Sequence, residues 1–178
     1  MSLREPDFVR KLVLLGDTGV GKTSLVQRYM YDSLSPEMGR TIGAVLHVKS
    51  IVLKGLCHKL VVWDLAGHES FAAMREQFCA NASGAFFVFD TTRPETLDGV
   101  DRWLKALHSA AGNVPVVFVE NKVDLESAVD PDQVMKVAES SALRLIQTSA
   151  TQNRNVDLAF TSLVEAILDR SDRRGSPL

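Results

Sequence analysis

Short apolar runs alternate along the chain with longer stretches of helical periodicity. Phe8 to Leu15 predicts a strand centred on Val13, Leu14 and Leu15, and it breaks at Gly16. Lys22 to Tyr31 predicts a helix with Leu25, Val26 and Tyr29 on one face. Asp32 to Gly43, which holds Ser33, Ser35, Pro36 and Gly39, predicts a loop. Ala44 to Lys54 and Lys59 to Asp64 predict two strands around a turn at Gly55, antiparallel because the link is so short. Ala85 to Asp90 and Val114 to Glu120 are continuous apolar runs, the pattern of strands covered on both faces of a parallel sheet. Between them Pro94 to Ala111 predicts a helix started by its proline, with Leu97, Val100, Trp103, Leu104 and Leu107 on one face. Pro131 to Ala142 predicts a helix, Leu143 to Gln147 a short strand, and Val156 to Arg170 a closing helix. The alternation predicts one α/β doubly wound domain over residues 1–170, a six-stranded mostly parallel sheet with helices on both faces. In such a fold ligands bind beyond the carboxyl ends of the strands. Ser171 to Leu178 reads as a disordered tail.

Composition removes several classes of protein. Of 178 residues 46% are apolar, enough for one core and too many for a disordered chain. No apolar run approaches the roughly 20 residues of a membrane span, and the charged stretch Met1 to Arg10 does not read as a secretory signal. A net charge of −2, from 20 basic and 22 acidic residues, argues against a nucleic-acid binder. Cys57 and Cys79 are too few for a disulfide framework or a four-ligand metal site, so reduced cytoplasmic thiols are expected.

The candidate chemistry begins where the first strand ends. Gly16-Asp17-Thr18-Gly19-Val20-Gly21-Lys22-Thr23 matches G-x-x-x-x-G-K-[ST] at every fixed position and opens a helix. Glycines let backbone N–H groups curl around phosphate oxygens, and the helix points its positive end at the anion. Lys22 adds a full charge toward the β- and γ-phosphates, and the Thr23 hydroxyl suits Mg²⁺. This pattern specifies a nucleoside triphosphate but neither base nor reaction. Asn121-Lys122-Val123-Asp124 follows a second strand and Thr148-Ser149-Ala150 ends a third. A short carboxylate there suits the paired donors on a guanine edge, which adenine lacks.

Together these motifs resemble the Ras superfamily of small GTPases, closest to its Rab branch, over roughly Val9 to Arg170. The resemblance includes Thr41-Ile42-Gly43, Trp63-Asp64-Leu65-Ala66-Gly67-His68-Glu69, Asp90-Thr91-Thr92-Arg93-Pro94-Glu95-Thr96-Leu97 and Arg102-Trp103-Leu104. It implies a GTP/GDP switch in membrane trafficking or signalling, with Lys22, Gly67 and His68 at the reaction centre. Asn121 and Asp124 would fix guanine, Lys122 would stack on it and the Ala150 N–H would meet its oxygen. Thr23 and Thr41 would hold Mg²⁺, with Asp64 acting through water, and Gly67 would donate to the γ-phosphate. Ser24, Ser149 and Thr151 complete the implied nucleotide set. The loops around Thr41 and Gly67 would order only on the triphosphate. Effectors, an exchange factor and a GTPase-activating protein are implied as partners of a monomer.

The chain also departs from that family. His68 stands where a glutamine usually orients the attacking water, so slow intrinsic hydrolysis is expected. The alternative is a GTP-binding module with negligible hydrolysis. A small P-loop kinase would explain the phosphate loop but not the guanine-reading loops. Leu34 replaces an aromatic and Thr151 a lysine near the base, so weaker binding and faster exchange are expected. Leu46 and Leu65 are expected to alter the surface that partners read. Arg40, beside Thr41, is a candidate for acting in cis on the γ-phosphate. Phe71, Met74 and Phe78 form an apolar stripe suited to core packing or to a partner. The ending Arg173-Arg174-Gly175-Ser176-Pro177-Leu178 holds no cysteine, so no lipid anchor is expected in this chain. Peripheral membrane association is then expected only through partners or a tail missing here.

Overall fold

The computed structural model describes residues 5–34, 39, 41–67, 74–141 and 143–174. Strands β1 (Phe8–Leu15), β2 (Ala44–Leu53), β3 (Leu56–Leu65), β4 (Gly84–Asp90), β5 (Val116–Asn121) and β6 (Arg144–Gln147) form one sheet. The helices are α1 (Lys22–Tyr31), α2 (Arg75–Cys79), α3 (Val100–Ala111), α4 (Pro131–Ser140) and α5 (Val156–Arg174). Sheet order is β2-β3-β1-β4-β5-β6, with β2 antiparallel to β3 and every other pairing parallel. The order reverses at β1, so a crevice opens beyond its carboxyl end, where Gly16 begins the phosphate loop.

Alternation along each central strand supplies two cores. Leu12 and Leu14 of β1, Phe86 and Val88 of β4, and Val117 and Val119 of β5 pack against α1 and α5. Val13, Leu15, Phe87, Phe89 and Phe118 face the other way, against α3 and α4. The continuous apolar runs are therefore period-two strands wetted on neither face. Phe160 of α5 centres the first core: its ring stacks on Tyr29 of α1 at 3.7 Å and lies 4.7 Å from Phe86.

Several boundaries differ from the pattern-based expectation. The helix expected from Pro94 begins only at Val100. Pro94–Thr96 instead makes a 3₁₀ turn, because the Thr96 hydroxyl donates to the Arg93 carbonyl and accepts from the Asp90 N–H. β5 starts after Pro115, which has no N–H to give the ladder, and extends to Asn121, opposite Asp90. α5 continues through Arg174, four residues into the expected tail, and Ser171 hydrogen-bonds back to the Ile167 carbonyl. In the expected apolar stripe Phe78 packs near Trp63 and Met74 is exposed; Phe71 lies outside the described residues. Leu46 is exposed as anticipated, whereas Leu65 is buried in the second core. No helix among the described residues is long and apolar enough to cross a membrane.

Removing the Phe160 ring leaves a void between two aromatic neighbours. Phe160→Ala is expected to destabilise the nucleotide-loaded protein by about 3–5 kcal/mol in chemical denaturation. Leu158→Ala, at an exposed position of the same helix, should stay within about 0.5 kcal/mol.

Candidate functional site

The phosphate loop is shaped by donors that take its carbonyls. Lys22 Nζ donates to the Gly16 and Asp17 carbonyls at 2.8 and 2.7 Å. Arg93 donates to the Thr18 carbonyl at 2.9 Å, Lys122 Nζ to that of Gly19 at 2.7 Å, and Asn121 Nδ2 to that of Val20 at 2.9 Å. The Gly21 carbonyl takes the Leu25 N–H of α1. With each carbonyl committed to a donor, the shape of the loop is fixed and its N–H groups are the ones left for an anion. Three glycines here cannot be replaced without collision, the first being Gly16, where a Cβ would lie 2.1 Å from the Val88 carbonyl oxygen. A Cβ on Gly21 would lie 2.2 Å from Asn121 Nδ2, and one on Gly67 would lie 2.4 Å from the Asp17–Thr18 peptide. Gly67 thus brings the end of β3 directly against the phosphate loop.

Lys22 is 6% exposed, and burial lowers its pKa to about 8, partly offset by Asp64 and Asp17. An anionic ligand beside it would favour the charged form further. A cavity of about 330 Å³ adjoins it, lined by Gly19, Thr23, Thr41 and Gly67 among others. A larger cavity of about 920 Å³, lined by Asp101, His108 and Arg170, holds none of these groups. The chemistry, rather than the volume, locates the site.

Three oxygen-bearing side chains meet at the edge of the smaller cavity. Thr23 Oγ1 lies 2.6 Å from Thr41 Oγ1 and donates to Asp64 Oδ2 at 2.6 Å. Asp64 is fully buried, its Oδ1 has no hydrogen-bond partner, and desolvation raises its pKa. Two hydroxyls beside an orphaned carboxylate oxygen fit a hard divalent cation, which takes oxygen ligands and would compensate that charge.

The loops that follow β5 and β6 converge beside the phosphate loop. Asn121 has its amide oriented by Thr148 Oγ1, which donates to Oδ1 at 3.0 Å, so it ties the two loops together. Lys122 stands in the left-handed region at φ 67°, stretched across Gly19. The Asp124 carboxyl is held below its ordinary pKa by hydrogen bonds from Ser149 and, less strongly, Thr151. Thr151 Oγ1 donates to Asp124 at 3.1 Å, so the residue in place of lysine locks the carboxylate in place. A small cavity of about 110 Å³ there is lined by Gly21, Ser24, Asn121, Asp124, Ala150 and Thr151.

The predicted positions from Gly16 to Ser24, with Thr41, Asp64, Gly67, Asn121, Lys122, Asp124, Ser149, Ala150 and Thr151, therefore gather at one end of the sheet. The Asp17 side chain turns to α3 instead, accepting from Trp103 Nε1 at 3.2 Å and from Arg102. His68 and Arg40 lie outside the described residues.

The sequence reading missed the residues that hold this frame. Asp90 is buried, pairs with Lys122 at 2.6 Å and Arg93 at 3.2 Å, and accepts both the N–H and the hydroxyl of Thr92. These donors, above all the Lys122 and Thr92 hydrogen bonds, hold its pKa low against the opposing effect of burial. Arg28 of α1 donates to the Ala150 and Thr151 carbonyls. An acidic strand end beside two downstream cations is too common a pattern to single Asp90 out.

Comparison with known proteins agrees with this geometry. The Ras family profile matches residues 11–169. The chain is 37% identical over 166 residues to the Ras-related protein rab-11.1 of Caenorhabditis elegans, covering 92% of this chain and 79% of that one. It is 35% identical over 166 residues to the Ras-related protein RABA2a of Arabidopsis thaliana, covering 92% and 76%. It is also 35% identical over 173 residues to the Ras-related protein Rab-13 of Canis lupus familiaris, covering 96% and 85%. The chain belongs to the Ras family of small GTPases, in its Rab branch, and so binds GTP and GDP with Mg²⁺. Effectors, exchange factors and activating proteins are the general partners of that family.

If Asp124 selects the base, an amide in its place should reverse the preference. Asp124→Asn offers an NH₂ where guanine also carries one, but xanthine carries a carbonyl. GTP affinity should fall about 10–100-fold and XTP should become the better competitor against fluorescent GDP.

Proposed function

We propose that this chain is a GTP/GDP-dependent switch of the Rab kind whose own hydrolysis of GTP is slow. The observation that supports it most is the meeting of Thr23, Thr41 and Asp64 beside a phosphate loop whose carbonyls each accept from a specific donor. Thr41 lies on the loop between α1 and β2, and Gly67 just beyond β3. In this reading both segments touch the γ-phosphate and loosen when it leaves. The surface around exposed Ile42 and Leu46 then differs between the two states.

Hydrolysis is an in-line displacement: water's oxygen bonds to the γ-phosphorus as the bond to the β–γ bridging oxygen breaks, giving GDP and phosphate. Lys22 and the inward N–H groups stabilise the charge that shifts onto the bridging oxygen. Thr23, Thr41 and Asp64 would hold Mg²⁺, which would supply positive charge to offset that of the phosphates. The Gly67 N–H holds the γ-phosphate.

The attacking water needs a group that accepts its proton-bearing side and donates toward the phosphate at once. A glutamine amide does both on one planar group. An imidazole presents its donor and acceptor on opposite sides of the ring. His68 therefore orients the water poorly, and an activating partner supplies what is missing. Service in membrane trafficking or signalling is inferred from the relatives.

Single-turnover hydrolysis of bound GTP tests this. His68→Gln should raise the intrinsic rate at least about tenfold, a barrier change near 1.4 kcal/mol. An unchanged rate removes His68 as the cause. Hydrolysis too slow to detect in the unaltered chain favours a GTP-held binding module.

A further inference from the structure

Another cavity, of about 320 Å³, lies among β5, β6 and α4 and takes no part in the nucleotide site. Its size suits a small ligand. It shares only Leu125 with the cavity beside Asp124 and nothing with the one beside Lys22. Val123, Val129, Val134, Met135 and Leu145 give it apolar walls.

One acidic side chain lines it. Glu120 is 5% exposed, so its carboxylate is removed from bulk water. Oε1 accepts from Thr91 Oγ1 at 2.7 Å and Oε2 from Gln147 Nε2 at 2.9 Å. Both donors are neutral. A carboxylate accepts about four hydrogen bonds, so about half its capacity is left over. No ion pair to Glu120 forms among the described residues. Arg154, the other charged residue lining the cavity, is exposed, and water screens it. A buried carboxylate without a counter-charge is costly, and the remedy is a cation carrying its own donors.

We infer that this cavity binds a ligand with a guanidinium or primary ammonium head on a short apolar stem. The head pairs with Glu120, and the stem lies against Val134, Met135 and Leu145. A guanidinium matches a carboxylate through two parallel N–H bonds. An anionic ligand is repelled by Glu120, and a wholly apolar one would cover the charge without pairing it. The head comes either from a free small molecule or from an arginine side chain of a partner protein.

The full chain loaded with GDP and Mg²⁺ is titrated with butylguanidinium and, separately, with butylurea, its neutral isostere. Methyl NMR signals of Val134, Met135 and Leu145 report occupancy. Butylguanidinium should saturate these shifts at about millimolar concentration, and butylurea should bind at least about tenfold more weakly. Glu120→Gln, checked for an unchanged melting temperature, should lose butylguanidinium binding to the same extent. If that variant does not fold, the comparison of the two probes on the unaltered chain decides alone. Equal binding of both probes, no saturation, or shifts confined to other regions overturns the assignment. Acetyl-Gly-Arg-Gly-amide separates the two sources. If it also binds, a partner's arginine is the occupant; if only butylguanidinium binds, the occupant is a free small molecule.

Discussion

A loop that binds phosphate through its N–H groups must keep its carbonyl dipoles turned away from the anion. Here every carbonyl from Gly16 to Gly21 accepts a hydrogen bond from a specific donor. Only two of those donors, Lys22 and the Leu25 N–H, come from the adjoining helix. The others come from the ends of β4 and β5, far along the chain. The loop is therefore a product of the whole sheet, and its shape depends on how the neighbouring strands end. Asp90 makes that dependence concrete, because one buried carboxylate positions both Arg93 and Lys122.

The same frame links the phosphate loop to the helices around it. Trp103 of α3 holds Asp17 by its indole N–H, and the Arg75 guanidinium of α2 lies 4.0 Å above the Trp103 ring. On the other side, Arg28 of α1 grips the loop carrying Ala150, and Asn121 joins that region to Val20. Beneath both, Phe160 and its neighbours fix α1 and α5 against the sheet. A rigid base and close backbone contacts leave little room for the glycines to be anything else, as the collisions at Gly21 and Gly67 indicate.

What the sequence made legible was local. Strand periodicity, the glycine-rich loop and the polar strand ends can each be read within about ten residues, and the fold and the phosphate loop followed from them, whereas Thr41, Asp64 and Gly67 were singled out by the resemblance to the Ras superfamily. What it hid was long-range. Arg93 meets Thr18 across 75 positions and Arg28 meets Ala150 across 122, and nothing near either residue announces the contact. Glu120 read as the end of a strand, yet it is a buried carboxylate on a cavity wall. The split before α3 escaped notice because helical spacing of Leu97 and Val100 is satisfied equally by a 3₁₀ turn followed by a helix. Leu65 resembled a surface substitution and proved to be core, since β3 buries its last residues on both sides.

The central claim is that this frame holds a guanine nucleotide and turns it over slowly. The most direct test is the nucleotide released on denaturing freshly purified protein, separated by base and phosphate number. The account predicts about one guanine nucleotide per chain, mostly GDP, since slow hydrolysis still completes during expression and purification. Adenine nucleotide in the pocket, or guanine present almost wholly as GTP, would contradict it.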